Sequence, residues 1–132
     1  MGSQLVINKK RSVSGSTVPN FDLEESNNIG IVNHTTYFTV TQPGCYMIVA
    51  DICSNGQFTG GGTVYGYLCK GADYTNVIFK RIAWITATDG ANYIFFCKFE
   101  KNESFNFRLL ASGDDGSIKL DDQNNYLSII KL

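Results

Sequence analysis

The sequence has little net charge, no long apolar run and a single histidine. Its 132 residues include eleven Lys and Arg against twelve Asp and Glu, for a net charge of −1. The positive excess that nucleic acids and acidic membranes attract is therefore missing. No apolar run approaches the ~20 residues of a membrane span. We expect neither a nucleic acid nor a membrane as a partner.

Catalytic motifs are also scarce. His34 is the single histidine, and no Ser or Cys motif accompanies it, so a catalytic triad has no signature. The glycines in FTGGGTVYG, residues 58–66, lack the Lys-Ser/Thr pair and the following helix of a phosphate-binding loop. We therefore expect a protein that is not an enzyme and needs no cofactor.

Four carboxylates in SGDDGSIKLDD are candidates for a calcium site, because oxygen ligands on a loop suit this ion. They are Asp114, Asp115, Asp121 and Asp122. Their spacing is not that of an EF-hand, so we interpret them as charged turn residues and expect no metal. A carboxylate pair that cleaves glycosides is defined by its separation in space, which leaves a β-sandwich lectin or carbohydrate-active enzyme as an alternative.

The cysteines, Cys45, Cys53, Cys69 and Cys97, form no CxxC pair and lie within apolar runs. Cys45 and Cys53 share one predicted strand, where eight steps of about 3.3 Å place their α-carbons far beyond the ~7 Å limit of a disulfide. We interpret all four as reduced thiols, which favours synthesis in a reducing compartment. The opening MGSQLVINKK is too short for a signal peptide, so we expect a cytoplasmic chain or one whose leader was removed.

The sequence is rich in strand-forming and turn-forming residues, with nine Phe, seven Tyr and thirteen Gly. Apolar runs recur about every 8–15 residues with Gly, Asn and Asp between them, and no segment shows a helical period. This spacing is typical of an all-β sandwich or barrel. The clearest runs are CYMIVADIC, TVYGYLCK, NYIFFCKFE, SFNFRLLAS and YLSIIKL.

The chain divides into two predicted regions. Residues 1–30 begin with a short apolar segment, LVIN, and continue from Asn8 to Asn28 as a polar, turn-rich stretch. We expect this region to be an N-terminal strand and a long arm with little regular structure, used in attachment or assembly. Residues 31–132 carry the strong strand patterns and are predicted to form one domain.

Several predicted strands are apolar on both faces. In YLSIIKL, the period of two places Leu127 and Ile129 on one face and Tyr126, Ile130 and Leu132 on the other. A sandwich of two sheets buries only one face of each strand. The second apolar face therefore predicts a contact between subunits.

Three stretches resemble the tumour necrosis factor family. YLSIIKL is similar to its closing strand, and FCKFEKNESFNFRLL is similar to its apolar strand, Lys-rich tight turn and second alternating strand. YFTVTQPGCYMIVADI resembles the family's Phe-x-Val-x-x-x-Gly-x-Tyr lead-in to a central strand, which the globular heads of complement's first component share. The resemblance covers approximately residues 36–132.

This resemblance implies a two-sheet jelly-roll sandwich that packs as a homotrimer around a three-fold axis. It also assigns the faces of two strands. The implied interface residues are Met47, Val49, Tyr126, Ser128, Ile130 and Leu132. The implied core residues are Tyr46, Ile48, Ala50, Ile52, Leu127 and Ile129.

Jelly-roll trimers of this kind also resemble bacteriophage fibre tips and bacterial exosporium proteins, which fit strand cysteines in a reducing cytoplasm. We interpret the chain as a non-enzymatic trimeric attachment module of a virion or bacterial surface assembly. The arm, residues 1–30, would contact other proteins of the assembly, and end loops would bind a receptor or glycan. Tyr74 and Trp84 are candidate stacking residues, although packing explains them as well. A secreted signalling ligand of the tumour necrosis factor or complement-head type is the main alternative.

Overall fold

The fold is all-β. The computed structural model describes residues 2–6, 12–17, 21, 23–53, 62–73, 75–85, 90–113, 117–119 and 125–132. Within these ranges the chain forms twelve strands and no helix, and so nothing helical that is long and apolar enough to cross a membrane. The strands are β1 (Gly2–Val6), β2 (Ser12–Thr17), β3 (Leu23–Asn27), β4 (Val32–Asn33), β5 (Phe38–Thr39), β6 (Gly44–Cys53), β7 (Gly62–Lys70), β8 (Asn76–Ile85), β9 (Gly90–Phe99), β10 (Ser104–Gly113), β11 (Ser117–Lys119) and β12 (Tyr126–Lys131).

The strands form two sheets in which every pair is antiparallel. Sheet I has five strands in the order β3-β1-β12-β6-β9. Sheet II has seven strands, with β10 flanked by β7 and then β8 on one side and by β2 and β5 on the other. Strands β11 and β4 extend sheet II beside β2 and β5. Because the chain passes repeatedly between the sheets after β5, the result is the predicted two-sheet jelly-roll sandwich.

The N-terminal region is part of both sheets. Strand β1 pairs with β12 and with β3, and β2 pairs with β10. The expectation of little regular structure between Asn8 and Asn28 is therefore wrong over Ser12–Thr17 and Leu23–Asn27. These polar segments show no apolar alternation, and their strand conformation follows from pairing with better-defined neighbours. A role of residues 1–30 in attachment stays a prediction.

The core lies between the two sheets. On β6 and β12 the predicted core side chains are at most 2% exposed, which confirms the alternation inferred from the sequence. Aromatic rings from both sheets fill the middle, and Phe99 of β9 stacks on Phe105 of β10 with 5.0 Å between ring centroids. The largest fully buried side chains are Tyr46, Tyr93, Phe21, Phe38, Phe95, Phe99, Phe105, Phe107 and Ile48.

The Phe-x-Val-x-x-x-Gly-x-Tyr pattern has a clear physical role. Phe38, Val40 and Tyr46 are all buried in the core. Between them the chain turns at Gly44, whose φ of +151° is one that residues with a side chain rarely adopt. The Tyr46 hydroxyl donates a hydrogen bond back to the Gln42 carbonyl, which fastens the turn to the start of β6.

One close approach between the sheets depends on a glycine. A Cβ atom added to Gly66 of β7 would clash with the ring of Tyr93 on β9. The ring is held in place, because the Tyr93 hydroxyl donates a 2.7 Å hydrogen bond to the Val64 carbonyl. Because residue 66 has no side chain, β7 and β9 can pack this closely.

We predict that Gly66→Ala destabilises the protein by about 1–3 kcal/mol, the usual cost of forcing extra volume into a packed core. Urea unfolding followed by circular dichroism measures this change. Combining Gly66→Ala with Tyr93→Leu, which removes the ring, should cost less than the sum of the two single changes. Equal stabilities of Gly66→Ala and the wild type would show that the ring does not restrict this position.

Candidate subunit interface

The face of sheet I that points away from sheet II carries a continuous apolar surface. Strand register sets Ile130 of β12, Met47 of β6 and Phe96 of β9 in one row. The next row contains Ser128, Val49 and Ile94. We call Met47, Val49, Ile94, Phe96 and Ile130 the apolar patch.

The patch is open to solvent in the single subunit. Phe96 is 57% exposed and Ile94 is 44% exposed, whereas Met47, Val49 and Ile130 are half-buried. The alternating residues of the same strands are fully covered, as Phe95 and Ile129 show. A contiguous apolar surface rimmed by polar residues is typical of a protein interaction site.

The predicted interface residues lie on the face that the patch occupies. Tyr126, Ser128 and Ile130 alternate with the buried Leu127 and Ile129 along β12 and are half-buried. Leu132 is 65% exposed at the chain end, where its amide donates a 2.9 Å hydrogen bond to the Cys45 carbonyl. Whether a second subunit covers these residues stays a prediction.

Sequence reasoning missed the two most exposed members of the patch, Ile94 and Phe96. Both lie in NYIFFCKFE, which is apolar on both faces in the same way as YLSIIKL. The signal was therefore available in the period of two. Their position opposite Val49 and Met47, however, follows from strand register rather than from composition.

The patch has polar ends. At one end Asp51 lies between Tyr126 and Asn92, and its partial burial raises the pKa of its carboxyl above the ordinary 3.8. At the other end Cys45 lies opposite Lys98. These rows border the apolar surface and limit it to the middle of β12, β6 and β9.

The outer face of sheet II has a different character. There the Lys80 ammonium lies 4.4 Å from the ring centroid of Tyr65, and the Arg108 guanidinium lies 4.5 Å from that of Tyr67. Register brings these side chains together, because Tyr67 lies opposite both Lys80 of β8 and Arg108 of β10. Long Lys and Arg side chains can cover apolar surface while their charged groups stay in water.

Other predicted site residues cannot be placed. Asp114, Asp115, Asp121 and Asp122 lie outside the described residues, as do Tyr74 and the side chain of Trp84. In the described part of the chain, no three His, Cys, Asp or Glu side chains come together as a metal site would require. His34 stacks on Tyr37, with ring centroids 4.2 Å apart, in the connection between β4 and β5.

The fold matches known structures, although the sequence matches no protein-family model and no curated protein. Murine APRIL superposes with a TM-score of 0.70 at 14% identity, over 99% of this chain and 98% of that one. Eiger TNF from S. frugiperda gives 0.69 at 11% identity, over 100% and 92%. The globular domain of zebrafish complement 1qA protein gives 0.67 at 12% identity, over 99% and 96%. The two-sheet jelly-roll fold of this chain is therefore similar to the folds of these three proteins.

We predict that adjacent phenylalanines of β9 differ sharply in their effect on folding. Phe95→Ser removes a fully buried ring, and such losses typically cost about 3–5 kcal/mol of a total near 5–15 kcal/mol. Phe96→Ser changes an exposed ring and should retain the wild-type circular dichroism spectrum. Soluble yield and urea unfolding compare the two variants. Equal loss of folded protein would show that the two faces of β9 are wrongly assigned.

Proposed function

We propose that the chain is a non-enzymatic binding module that assembles as a homotrimer through the outer face of sheet I. The observation that carries this proposal is the exposed apolar patch. Phe96 alone leaves more than half of its side chain in water. Burying a large apolar side chain contributes about 1.5–3 kcal/mol, and covering the patch on each subunit would add several such contributions.

A closed ring of identical subunits would bury the apolar patch of every subunit. Soluble oligomers are mostly closed and symmetric, because an open arrangement of the same contact would grow into fibres. The resemblance of YLSIIKL and YFTVTQPGCYMIVADI to the tumour necrosis factor family implies three-fold closure, and the matching jelly-roll fold supports it.

We propose a virion or bacterial surface assembly as the setting, with residues 1–30 contacting other proteins of the assembly and end loops binding a receptor or glycan. The thiols support synthesis in a reducing compartment: Cys45, Cys69 and Cys97 are free in the structure, and Cys69 is fully buried. The alternative is a secreted ligand of the tumour necrosis factor or complement-head type. The similarity to murine APRIL and to the zebrafish complement domain supports that alternative about as well.

The thiols separate the two settings. We predict four titratable thiols in protein that is isolated from its natural source without reductant and then denatured. A reducing compartment keeps thiols free, whereas secretory compartments oxidise them. Titration with a chromogenic disulfide reagent gives the count. Fewer than two free thiols would favour the secreted ligand.

The assembly itself is tested by two neighbouring positions of β12. We predict that Ile130→Asp abolishes the trimer but leaves folded subunits, because it adds a charge to a face that the neighbouring subunits would cover. Leu127→Asp places the same charge in the sandwich core, where the side chain is fully buried, and should give insoluble protein.

Light scattering coupled to size exclusion and circular dichroism distinguish these results. The wild type should have about three times the mass of the 14.6 kDa chain. A monomeric wild type, or an Ile130→Asp variant that forms a trimer of normal melting temperature, would contradict the proposed interface.

A further inference from the structure

An ionisable side chain lies at the edge of the apolar patch. Asp51 of β6 extends from the same face as Val49 and Met47, two and four residues away, and is half-buried in the single subunit. Its cross-strand neighbours are Tyr126 on β12 and Asn92 on β9. These neighbours offer a phenol and an amide, and neither carries a positive charge.

Among the described residues, the positive group on this face of sheet I is remote from Asp51. Lys98 of β9 lies opposite Cys45. Cys45 is six residues from Asp51 along β6, so Lys98 is about 20 Å from Asp51 along the strand direction. Along β6 the flanking residues are Val49 and Cys53, and the side chain of Cys53 lies outside the described residues. In the described part of the chain, the carboxylate of Asp51 takes part in no ion pair or side-chain hydrogen bond.

The segments that adjoin this end of the three strands are acidic in sequence. Residues 54–61 follow β6, residues 86–89 precede β9 and residues 120–125 precede β12; together they contain Asp89, Asp121 and Asp122 but no Lys or Arg. The basic Lys9-Lys10-Arg11 follows β1, whose last residue pairs with Tyr126, so a single strand, β12, separates the end of β1 from Asp51. Lys9, Lys10 and Arg11 themselves lie outside the described residues. In the described part of the chain, neither the row of Asp51 nor the adjacent row of Ser128, Val49 and Ile94 contains a positive side chain.

We propose that Asp51 makes assembly through the outer face of sheet I proton-dependent, so that the assembled form is favoured when this carboxyl is protonated. This inference rests on the proposed function. Covering the patch removes water from a carboxylate that is already partly buried, and a closed ring repeats the same group in every subunit. Both desolvation and like charges disfavour the ionised form.

The direction of the pH effect follows from proton linkage. Burial already raises the pKa of Asp51 above 3.8 in the subunit, and assembly raises it further. The assembled form therefore binds more protons than free subunits do in the window above the ordinary carboxyl pKa. Association should be strongest at low pH and weaken as the pH rises through the raised pKa.

The experiment measures association of the full chain across this window. Sedimentation equilibrium between about pH 4.5 and pH 7.5 should show the wild-type association constant falling by about tenfold or more. Asp51→Asn should remove this dependence and associate at pH 7.5 as tightly as the wild type does at pH 4.5. Where the complex is too tight for equilibrium, the rate of subunit exchange between two fluorescently labelled pools gives the same comparison.

Asp73→Asn is the matched control. It removes the same charge from an exposed residue in the connection between β7 and β8, where hydrogen bonds from Thr75 lower the pKa of the Asp73 carboxyl. This variant should retain the wild-type dependence. A pH-independent wild type, or tighter association as the pH rises, would overturn the proposal, and the latter would indicate a cation from a neighbouring subunit.

Two other outcomes are distinguishable. If Asp51→Asn keeps the wild-type dependence, another group is responsible and the proposal is wrong, although the trimer itself stands. If every variant is monomeric at every pH, the proposed function fails together with this inference.

Discussion

The structure depends on strands of sheet I that are apolar on both faces. Successive side chains of a strand point to opposite sides, so Leu127 and Ile129 of β12 fill the sandwich while Ile130 remains outside. Strands β6 and β9 repeat the arrangement in register. One subunit therefore buries only one of the two apolar faces of these three strands, and the proposed function is based on the other face.

Most of sheet I could be predicted, because its middle strands are long and strongly patterned. The buried set on β6 and β12 matches the expected alternation, and the Phe38-to-Tyr46 segment forms the expected turn and strand. Strands β2 and β3 could not be predicted, because SVSGST and LEESN contain no alternation of apolar residues. Strand β2 depends on pairing with β10, which is distant in sequence, and β3 depends on pairing with β1.

Interface residues could be predicted from the sequence on β6 and β12. The continuous surface that they form with β9 could not. Met47 and Ile130 were assigned through a family resemblance, whereas their row also contains Phe96. A row across a sheet is determined by register, and register depends on which strands pair and at what offset. Composition alone identifies apolar faces, but only the paired structure shows that three of them are continuous.

The two outer faces of the sandwich indicate different roles. On sheet II, Lys80 and Arg108 lie over the rings of Tyr65 and Tyr67, so charge covers the aromatic surface and keeps it compatible with water. On sheet I, no cation lies over the exposed ring of Phe96 among the described residues. Both outer faces carry large apolar groups, but only on sheet II do cations cover the aromatic rings that are described. This difference suggests that the two faces meet different surroundings. It supports an assembly in which sheet I faces the neighbouring subunits and sheet II faces solvent.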